Sequence, residues 1–300
     1  MGALSDAFWG LLDPWLFMSF SLYYLPGTIL SLLQTHDWAI LLSPSRLQSV
    51  WFSRFWAWAG PGVRQTAEKR VLPLLEGRVL GGRVQALPVV APVGGVVIEV
   101  GPGTGMWVDI FSKVDSSASA SGTRKDEPSR RKGGSRPNDV TKVYGVEPNA
   151  GSHAELRRRA DAAGLADVYE IVPVGIESIA DSGRWDGRIE DGSVDCIVSV
   201  LCLCGIPDQE ANLKALYRSL KKGGRFYVYE HVKVRGNFLV GIYQRIINLV
   251  WPTIIGGCEL CRDTETALRR AGPWERVDLV QPLDEPWYHT LPHIYGVLVK

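Results

Sequence analysis

Three glycines alternate behind an acid in Glu99-Val-Gly-Pro-Gly-Thr-Gly105. Glycine at 101, 103 and 105 lets the backbone bend tightly and admits a ligand where a Cβ would stand in the way. The β-branched run at 96–100 suits a strand covered on both faces. Residues 106–111 read as the start of a helix whose free N–H groups face the turn. Strand, glycine turn and helix together form a cradle for a nucleotide-type cofactor. A dinucleotide fingerprint, G-x-G-x-x-G, would put its third glycine at 106, and this chain has Met106 there.

The next acid at a strand end is Glu147, closing the run 140–147, where a carboxylate can accept two hydrogen bonds from ribose hydroxyls. It lies 48 residues after Glu99, whereas nucleotide-binding folds place it about 20 residues on. Residues 112–139 explain the excess: they are rich in Ser, Gly, Pro and charge and almost free of large apolar groups, and read as a disordered insertion. Pro148 and Asn149 open the next turn, and 152–163 is a helix stopped by Gly164. A third strand at 168–174 leads to Gly175, Ile176 and Glu177. A fourth precedes Leu201 and Cys202, a helix follows at 208–220, and a fifth strand runs over 225–231.

Beyond the cradle, His231 follows the fifth strand on the rim where a second substrate would sit, and is the candidate proton acceptor; the alternative is a histidine that fixes a loop. His293, heading the last strand, is a weaker candidate. Cys202 and Cys204 read as small apolar core groups. Together with Cys258 and Cys261 they also offer four thiolates, but the spacing and composition are not those of a zinc knuckle, and no metal is expected.

The pattern E-x-G-x-G-x-G resembles motif I of the class I S-adenosylmethionine (SAM) methyltransferases. Asp191-Gly-Ser-Val-Asp195 and Leu220-Lys-Lys-Gly-Gly224 resemble two further segments of that family, with Lys222 where proline is usual. Within it, the chain is similar to the membrane-associated alkyl thiol S-methyltransferases of the endoplasmic reticulum. That similarity rests on Leu201-Cys-Leu-Cys204, Glu230-His-Val232, Gly256-Gly-Cys-Glu-Leu-Cys-Arg262 and Pro292-His-Ile-Tyr-Gly-Val-Leu-Val-Lys300. Pro102, the insertion, a longer apolar N-terminal region and Glu147 in place of aspartate depart from the pattern. The resemblance implies a Rossmann-like α/β fold with a seven-stranded sheet, the last two strands (275–280 and 293–299) forming a reversed hairpin.

It also implies SAM as cofactor. Glu99 would serve the cationic methionine end, Gly101, Gly103 and Gly105 would line the cofactor, Glu147, Pro148 and Asn149 would lie at the ribose, Gly175, Ile176 and Glu177 at the adenine, and Leu201 and Cys202 on the facing strand. The expected acceptor is small and lipophilic, a thiol before an oxygen or nitrogen nucleophile. A nicotinamide-dependent oxidoreductase and a catalytically silent membrane scaffold are the competing classes.

The elements that must hold this site divide into a hydrophobic region at 1–45, a helical extension at 46–90 and a catalytic domain at 91–300. Residues 14–36 carry no Asp, Glu, Lys or Arg, long enough for a span of about 20 residues. Pro26-Gly27 interrupts the run, so a kinked span, a shallow hairpin and an anchor in one leaflet all fit, as does a buried helical hairpin. Arg46, Arg54 and Arg64 follow it, which would place the rest of the chain on the cytosolic face, of the endoplasmic reticulum or a lipid droplet by the resemblance. Residues 47–60 read as an amphipathic helix ended by Pro61-Gly62, and 63–80 as another interrupted at Pro73. Gly81-Gly82 begins an approach loop. Residues 237–255 read as one apolar helix, either a substrate-side lid or plain packing. The net charge of +1 argues against a nucleic-acid partner, and five cysteines without a framework point to a reducing compartment.

Overall fold

The computed structural model describes residues 3–112 and 139–300. The expected insertion lies outside the described residues from 113 to 138. Three helices come first: α1 (Ala3–Gln34), the single turn α2 (Trp38–Leu41) and α3 (Pro44–Leu75). A two-residue hairpin, β1 (Val79–Leu80) and β2 (Arg83–Val84), turns at Gly81-Gly82, both at positive φ. Then come β3 (Gly95–Val100), β4 (Val140–Val146), α4 (Ala150–Ala162), β5 (Tyr169–Val172) and β6 (Val194–Val200). The chain closes with α5 (Gln209–Ser219), β7 (Leu220–His231), α6 (Phe238–Asn248), α7 (Trp251–Ile254), α8 (Thr264–Arg270), β8 (Arg276–Val280) and β9 (His293–Val299).

The large sheet has the order β5-β4-β3-β6-β7-β9-β8, parallel except for β9, which runs against both β7 and β8. The seven strands and the reversed final hairpin are those the resemblance implied. Alternate residues of β3 enter opposite cores: Val97 packs with Val71, Leu74 and Leu156 beneath α3 and α4, and Ile98 with Leu213, Leu216 and Leu268 beneath α5 and α8. The strand order reverses between β3 and β6, which opens a crevice at their carboxyl ends, where such sheets bind ligands. Glu99 pairs in register with Gly145 of β4. A Cβ on Gly145 would lie 2.3 Å from Tyr169 Oη, so only glycine lets the Tyr169 side chain cross β4 from β5 to reach Glu99.

Three expectations about helices change. Residues 44–75 form one 32-residue helix that runs through Pro61 and Pro73, not two helices broken at Pro61-Gly62. A proline inside a helix costs about 3 kcal/mol, but Trp51, Phe55 and Ala59 before Pro61 and Ala67, Val71 and Leu74 after it are all buried. Packing on both sides of the proline outweighs the lost bond. Residues 106–109 are turns, and helical structure starts only at Ile110. Arg64 of α3 explains this: its guanidinium donates to the Met106 carbonyl, forms an ion pair with Asp109 at 2.8 Å and lies over the Trp107 ring. The Met106 carbonyl, which an α-turn would pair with Ile110 N, faces the guanidinium, and Ile110 N bonds the Trp107 carbonyl instead. Residues 237–255 form two helices that break at 249–250, and β7 begins at Leu220, earlier than expected.

Helix α1 remains helical through Pro14 and Pro26. It buries a narrow stripe (Pro14, Met18, Ser21, Thr28, Leu32) against α3 and α7, where Met18 joins Phe55, Trp251 and Ile255. Ser21 Oγ donates to the Ile254 carbonyl and Trp51 Nε1 to the Ser21 carbonyl. Among the described residues it is the one helix long and apolar enough to cross a membrane, and 22% of its most apolar window is buried.

Gly145→Ala is expected to cost about 1–3 kcal/mol in urea unfolding, because the added methyl overpacks against Tyr169. The cost should shrink when Tyr169→Leu is already present. An equal cost in both backgrounds would contradict the crossing.

Candidate active site

The glycine turn places three residues at positive φ: Gly101 at 60°, Gly103 at 57° and Gly105 at 83°. Their surroundings differ. A Cβ on Gly101 would sit 2.1 Å from Cys202 Sγ, and one on Gly105 would press on Leu156 at 3.0 Å. One on Gly103 would meet nothing within 4 Å. The turn is therefore closed underneath and open at Gly103, the form a cradle needs for close approach of a ligand.

Glu147, just past β4, is buried and accepts from Gly103 N and Asn149 N, each at 2.8 Å. Two backbone bonds leave lone pairs on both oxygens for hydroxyl donors. Asn149 also caps α4 by accepting from Gly151 N, so one turn fixes both the helix and the carboxylate. Gly175 precedes a short 3₁₀ turn (Ile176–Ser178), with Ile176 buried in the core and Glu177 exposed. Among the expected cofactor residues, Glu99, the glycines, Glu147 and Cys202 thus converge at the strand ends, while Gly175 to Glu177 follow β5 at the sheet's edge.

Glu99 accepts from Tyr169 Oη at 2.5 Å and is almost wholly buried. Burial pushes its carboxyl up to about 7, against the Tyr169 hydrogen bond and with help from the charges of Glu147 and Asp109. Burial also raises Glu147, opposed by its two backbone donors. Two neighbouring buried acids that both resist ionisation form a site that favours a cation.

At the other side of the switch point, Leu201 adopts φ +55°, which costs about 1–2 kcal/mol outside glycine. Glu230 of β7 holds that strained loop. Its Oε1 accepts from Ser199 Oγ (2.6 Å) and Cys202 N (3.0 Å), and its Oε2 from Leu203 N (3.0 Å). Burial pushes Glu230 up to about 7 as well, although all three donors oppose it. Sequence reasoning quoted Glu230 and assigned it no role; the available signal was a lone acid in the apolar strand run Phe226-Tyr-Val-Tyr-Glu-His231.

His231 is buried, and its Nε2 lies 3.0 Å from Cys258 Sγ. Burial works against the imidazolium, and Cys258 and Glu230 more than offset it, so the ring is raised above its ordinary value. Cys204 sits with this pair: the sulfurs of Cys204 and Cys258 and the His231 nitrogen lie within 4.8 Å of one another. The four-cysteine grouping is not formed, because Cys202 packs on Gly101 and Cys261 Sγ faces Gln244 Oε1. His293 pairs with His231 across β7 and β9, but its Nδ1 is bound to Glu285 at 2.6 Å and its ring stacks on Tyr229.

A glycine turn open to a ligand, with buried acids ending β3 and β4 of a sheet whose last strand is reversed, defines a class I methyltransferase fold, and the cofactor of that class is SAM. Residues 75–246, over half the chain, match the family described as the methyltransferase domain, and the chain belongs to that family. It is 36% identical over 124 residues to the human thiol S-methyltransferase TMT1A, an alignment of 41% of this chain and 50% of that protein. It is 32% identical over 114 residues to the rat thiol S-methyltransferase TMT1B, covering 38% and 46%. The chain thus spans about half the length of the curated relatives it matches. A solved structure of a candidate O-methyltransferase from Nostoc punctiforme superposes with a TM-score of 0.50 at 11% identity, covering 84% of this chain and 60% of that one, and shares the fold.

The pH dependence of stability should report Glu99. Its folded-state value of about 7 lies above the ordinary 4.5, so its contribution is present in full below about 4.5 and is lost as pH rises through about 7. Glu230 acts in the same direction over the same window. In the ligand-free chain, Glu99→Gln should flatten the fall in urea midpoint across that window relative to wild type. Identical slopes would show that Glu99 does not carry the buried charge.

Proposed function

We propose that this chain is a SAM-dependent methyltransferase acting on a small lipophilic acceptor, a thiol in first place, at a membrane surface. The observation that carries the donor half is the open backbone at Gly103 beside the carboxylates of Glu99 and Glu147. SAM, when bound, supplies a methyl group on a sulfonium that a nucleophile can displace in line. Glu99 would neutralise the cationic methionine end. Glu147 would take the ribose hydroxyls on the lone pairs that Gly103 and Asn149 leave free, with Pro148 shaping that turn. Gly175, Ile176 and Glu177 would border the adenine, and Leu201 and Cys202 would form the wall towards the acceptor. Glu230 holds that wall in its strained form, so the two sides of the crevice keep their alignment without a bound acceptor. His231 marks the acceptor end, beside Cys258.

Thiol preference draws support from the two curated relatives named as thiol S-methyltransferases; oxygen and nitrogen nucleophiles are the alternative acceptors. The match to the methyltransferase-domain family weighs against the nicotinamide oxidoreductase. We also keep the division into 1–45, 46–90 and 91–300, with the family match reaching back to residue 75 in the middle segment.

Membrane association draws support from two helices that keep large apolar side chains exposed. On α1 the packed stripe contains Ser21 and Thr28, while Leu4, Phe8, Leu16, Phe20 and Leu30 are exposed. On α6 Val240, Gln244 and Ile247 are buried, and Phe238, Leu239, Ile242 and Ile246 face outward. The helices are joined where Trp15 Nε1 donates to Tyr243 Oη and Tyr243 Oη donates to the Leu11 carbonyl. Together they present an apolar platform that suits an acyl-chain boundary. The cytosolic face of the endoplasmic reticulum or of a lipid droplet is the setting we propose.

Two measurements test the reading. Calorimetry should give saturable SAM binding that Glu147→Ala weakens about 10- to 100-fold, the worth of one or two lost hydrogen bonds to a charged group. With labelled SAM and a panel of alkyl thiols, phenols and amines, thiols should be methylated; turnover of phenols or amines alone would overturn the sulfur preference. Separately, the full chain should float with lipid vesicles. The triple change Phe8→Glu, Leu16→Glu and Leu30→Glu should abolish flotation while leaving SAM binding intact, since each charge would cost about 2.5–3.5 kcal/mol in the apolar layer. Flotation unchanged by the three charges would remove the platform.

A further inference from the structure

The cluster behind the acceptor wall holds more chemistry than a proton acceptor needs. Cys204 comes from the loop after β6, His231 ends β7, and Cys258 lies in the turn after α7. Each sits on a different segment, and the segments are tied to one another. The Cys204 loop hangs on Glu230. His231 is locked by its strand pairing with His293. The Cys258 turn is closed by Gly257 N to the Pro252 carbonyl and Cys258 N to the Ile255 carbonyl, and Glu259 N then bonds the Cys204 carbonyl. Two sulfurs and one imidazole nitrogen therefore converge to within 4.8 Å on segments held by strand pairing, turn hydrogen bonds and the Glu230 carboxylate.

We propose that Cys204, His231 and Cys258 form a three-ligand site for a thiophilic divalent cation, Zn²⁺ by its ligand chemistry, whose remaining position takes the acceptor as a thiolate. A tetrahedral zinc with Zn–S about 2.3 Å and Zn–N about 2.0 Å sets its ligands roughly 3.5–3.8 Å apart, so the cluster needs only small side-chain shifts to close on the ion. Two thiolates balance a divalent charge, which suits a place where Cys204 and His231 are buried. Among the described residues no fourth His, Cys, Asp or Glu joins this group, so one position is left for an outside ligand, as in catalytic rather than structural zinc sites.

The surroundings fit a metal-bound thiolate. Trp251 Nε1 donates to Cys258 Sγ at 3.2 Å, the kind of outer hydrogen bond that orients a coordinating sulfur. His231 presents Nε2 to the cluster, 3.0 Å from Cys258 Sγ. The Arg262 guanidinium, bound to the carbonyls of Leu203 and Ile206, stands beside the Cys204 loop and can offset the extra negative charge of a third thiolate. In this arrangement His231 acts as a ligand and not as a free base. When an acceptor R–SH enters, its sulfur forms the fourth bond to the ion and its proton goes to the buffer. Coordination lowers the thiol's pKa towards neutrality, the activation that a thiol with an ordinary value of about 8.5 requires.

The metal site stands on the cluster itself; only the identity of the fourth ligand rests on the proposed thiol acceptor. The full chain, stripped with a chelator and titrated with Co²⁺ in the absence of SAM, should bind one equivalent with a thiolate-to-cobalt charge-transfer band and the visible bands of a tetrahedral ion. Cys204→Ser and Cys258→Ser should each weaken that band and lower affinity tenfold or more, with SAM binding and circular dichroism reporting that the fold is kept. Cys261→Ser should change neither. Adding a short alkyl thiol to the cobalt-loaded wild-type chain should raise the charge-transfer intensity and release about one proton per thiol bound. No stoichiometric cobalt band in wild type, or a band untouched by both cluster variants, would overturn the site. Cobalt binding without any response to thiol would overturn the fourth-ligand assignment and leave the three-ligand site in place. Failure of thiol methylation alongside a normal cobalt band would count against the proposed acceptor only.

Discussion

Buried carboxyl groups at the carboxyl ends of β3, β4 and β7 are the constraint on which this site depends. Glu99, Glu147 and Glu230 are all buried there, and burial raises all three. Each is held by a different device: a phenol reaching over Gly145, two backbone donors from turns, and a hydroxyl with two loop amides. The first two leave a site with a preference for a cation. The third uses its charge to hold a loop in a strained form. An unpaired buried carboxylate costs far more than a satisfied one, so the geometry of the crevice and the satisfaction of its acids cannot be separated.

The same economy governs the segment after the glycine turn. In many nucleotide-binding folds a helix N-terminus faces the ligand there. Here Arg64, sent down from α3, binds the Met106 carbonyl and Asp109 and keeps residues 106–109 in turns. The long helix that packs beneath the fold thereby also shapes the cradle. On its other side it meets α1, whose packed stripe mixes Met18 and Leu32 with Ser21 and Thr28 and whose outer face exposes large apolar side chains. One helix thus contacts both the cofactor crevice and the helix that carries the apolar platform.

Much of the sheet was legible from residues alone. Runs such as 96–100 and 194–200 are dominated by apolar residues because both faces are covered, with Glu99, Asp195 and Ser199 as their polar members, and the breaks after them fall at Gly101 and Leu201, where the backbone takes positive φ. The helix limits were less legible. Pro61 looks like a terminator, yet the buried side chains before and after it keep α3 whole; residues 249–250 look like helix and are not. Local propensity is worth a fraction of a kcal/mol per residue, and tertiary packing overrides it. Gly103 and Glu147 were each legible as candidate cofactor residues, from the glycine turn and the second strand-end acid, but the bond from Gly103 N to Glu147 Oε2 was not. Glu230 and the trio Cys204, His231 and Cys258 were not legible as partners, because nothing in their separations along the chain says that their side chains meet.

What the sequence determined by itself was the alternation of apolar runs with turns, the acid–glycine motif and the uncharged N-terminal stretch, because these rest on local chemistry: backbone freedom at glycine, strand periodicity, the lack of charge. Only the tertiary structure decided that Tyr169 reaches Glu99 across Gly145, that Glu230 grips the loop at Leu201, and that two distant cysteines enclose His231. Those contacts join residues 27 to 70 positions apart, and such a distance along the chain carries no signal until the strands are laid side by side. The polarity of α1 belongs to the second kind as well. Its composition announced an apolar helix, but which face the protein kept was settled by α3 and α7, and they took the side with Ser21 and Thr28.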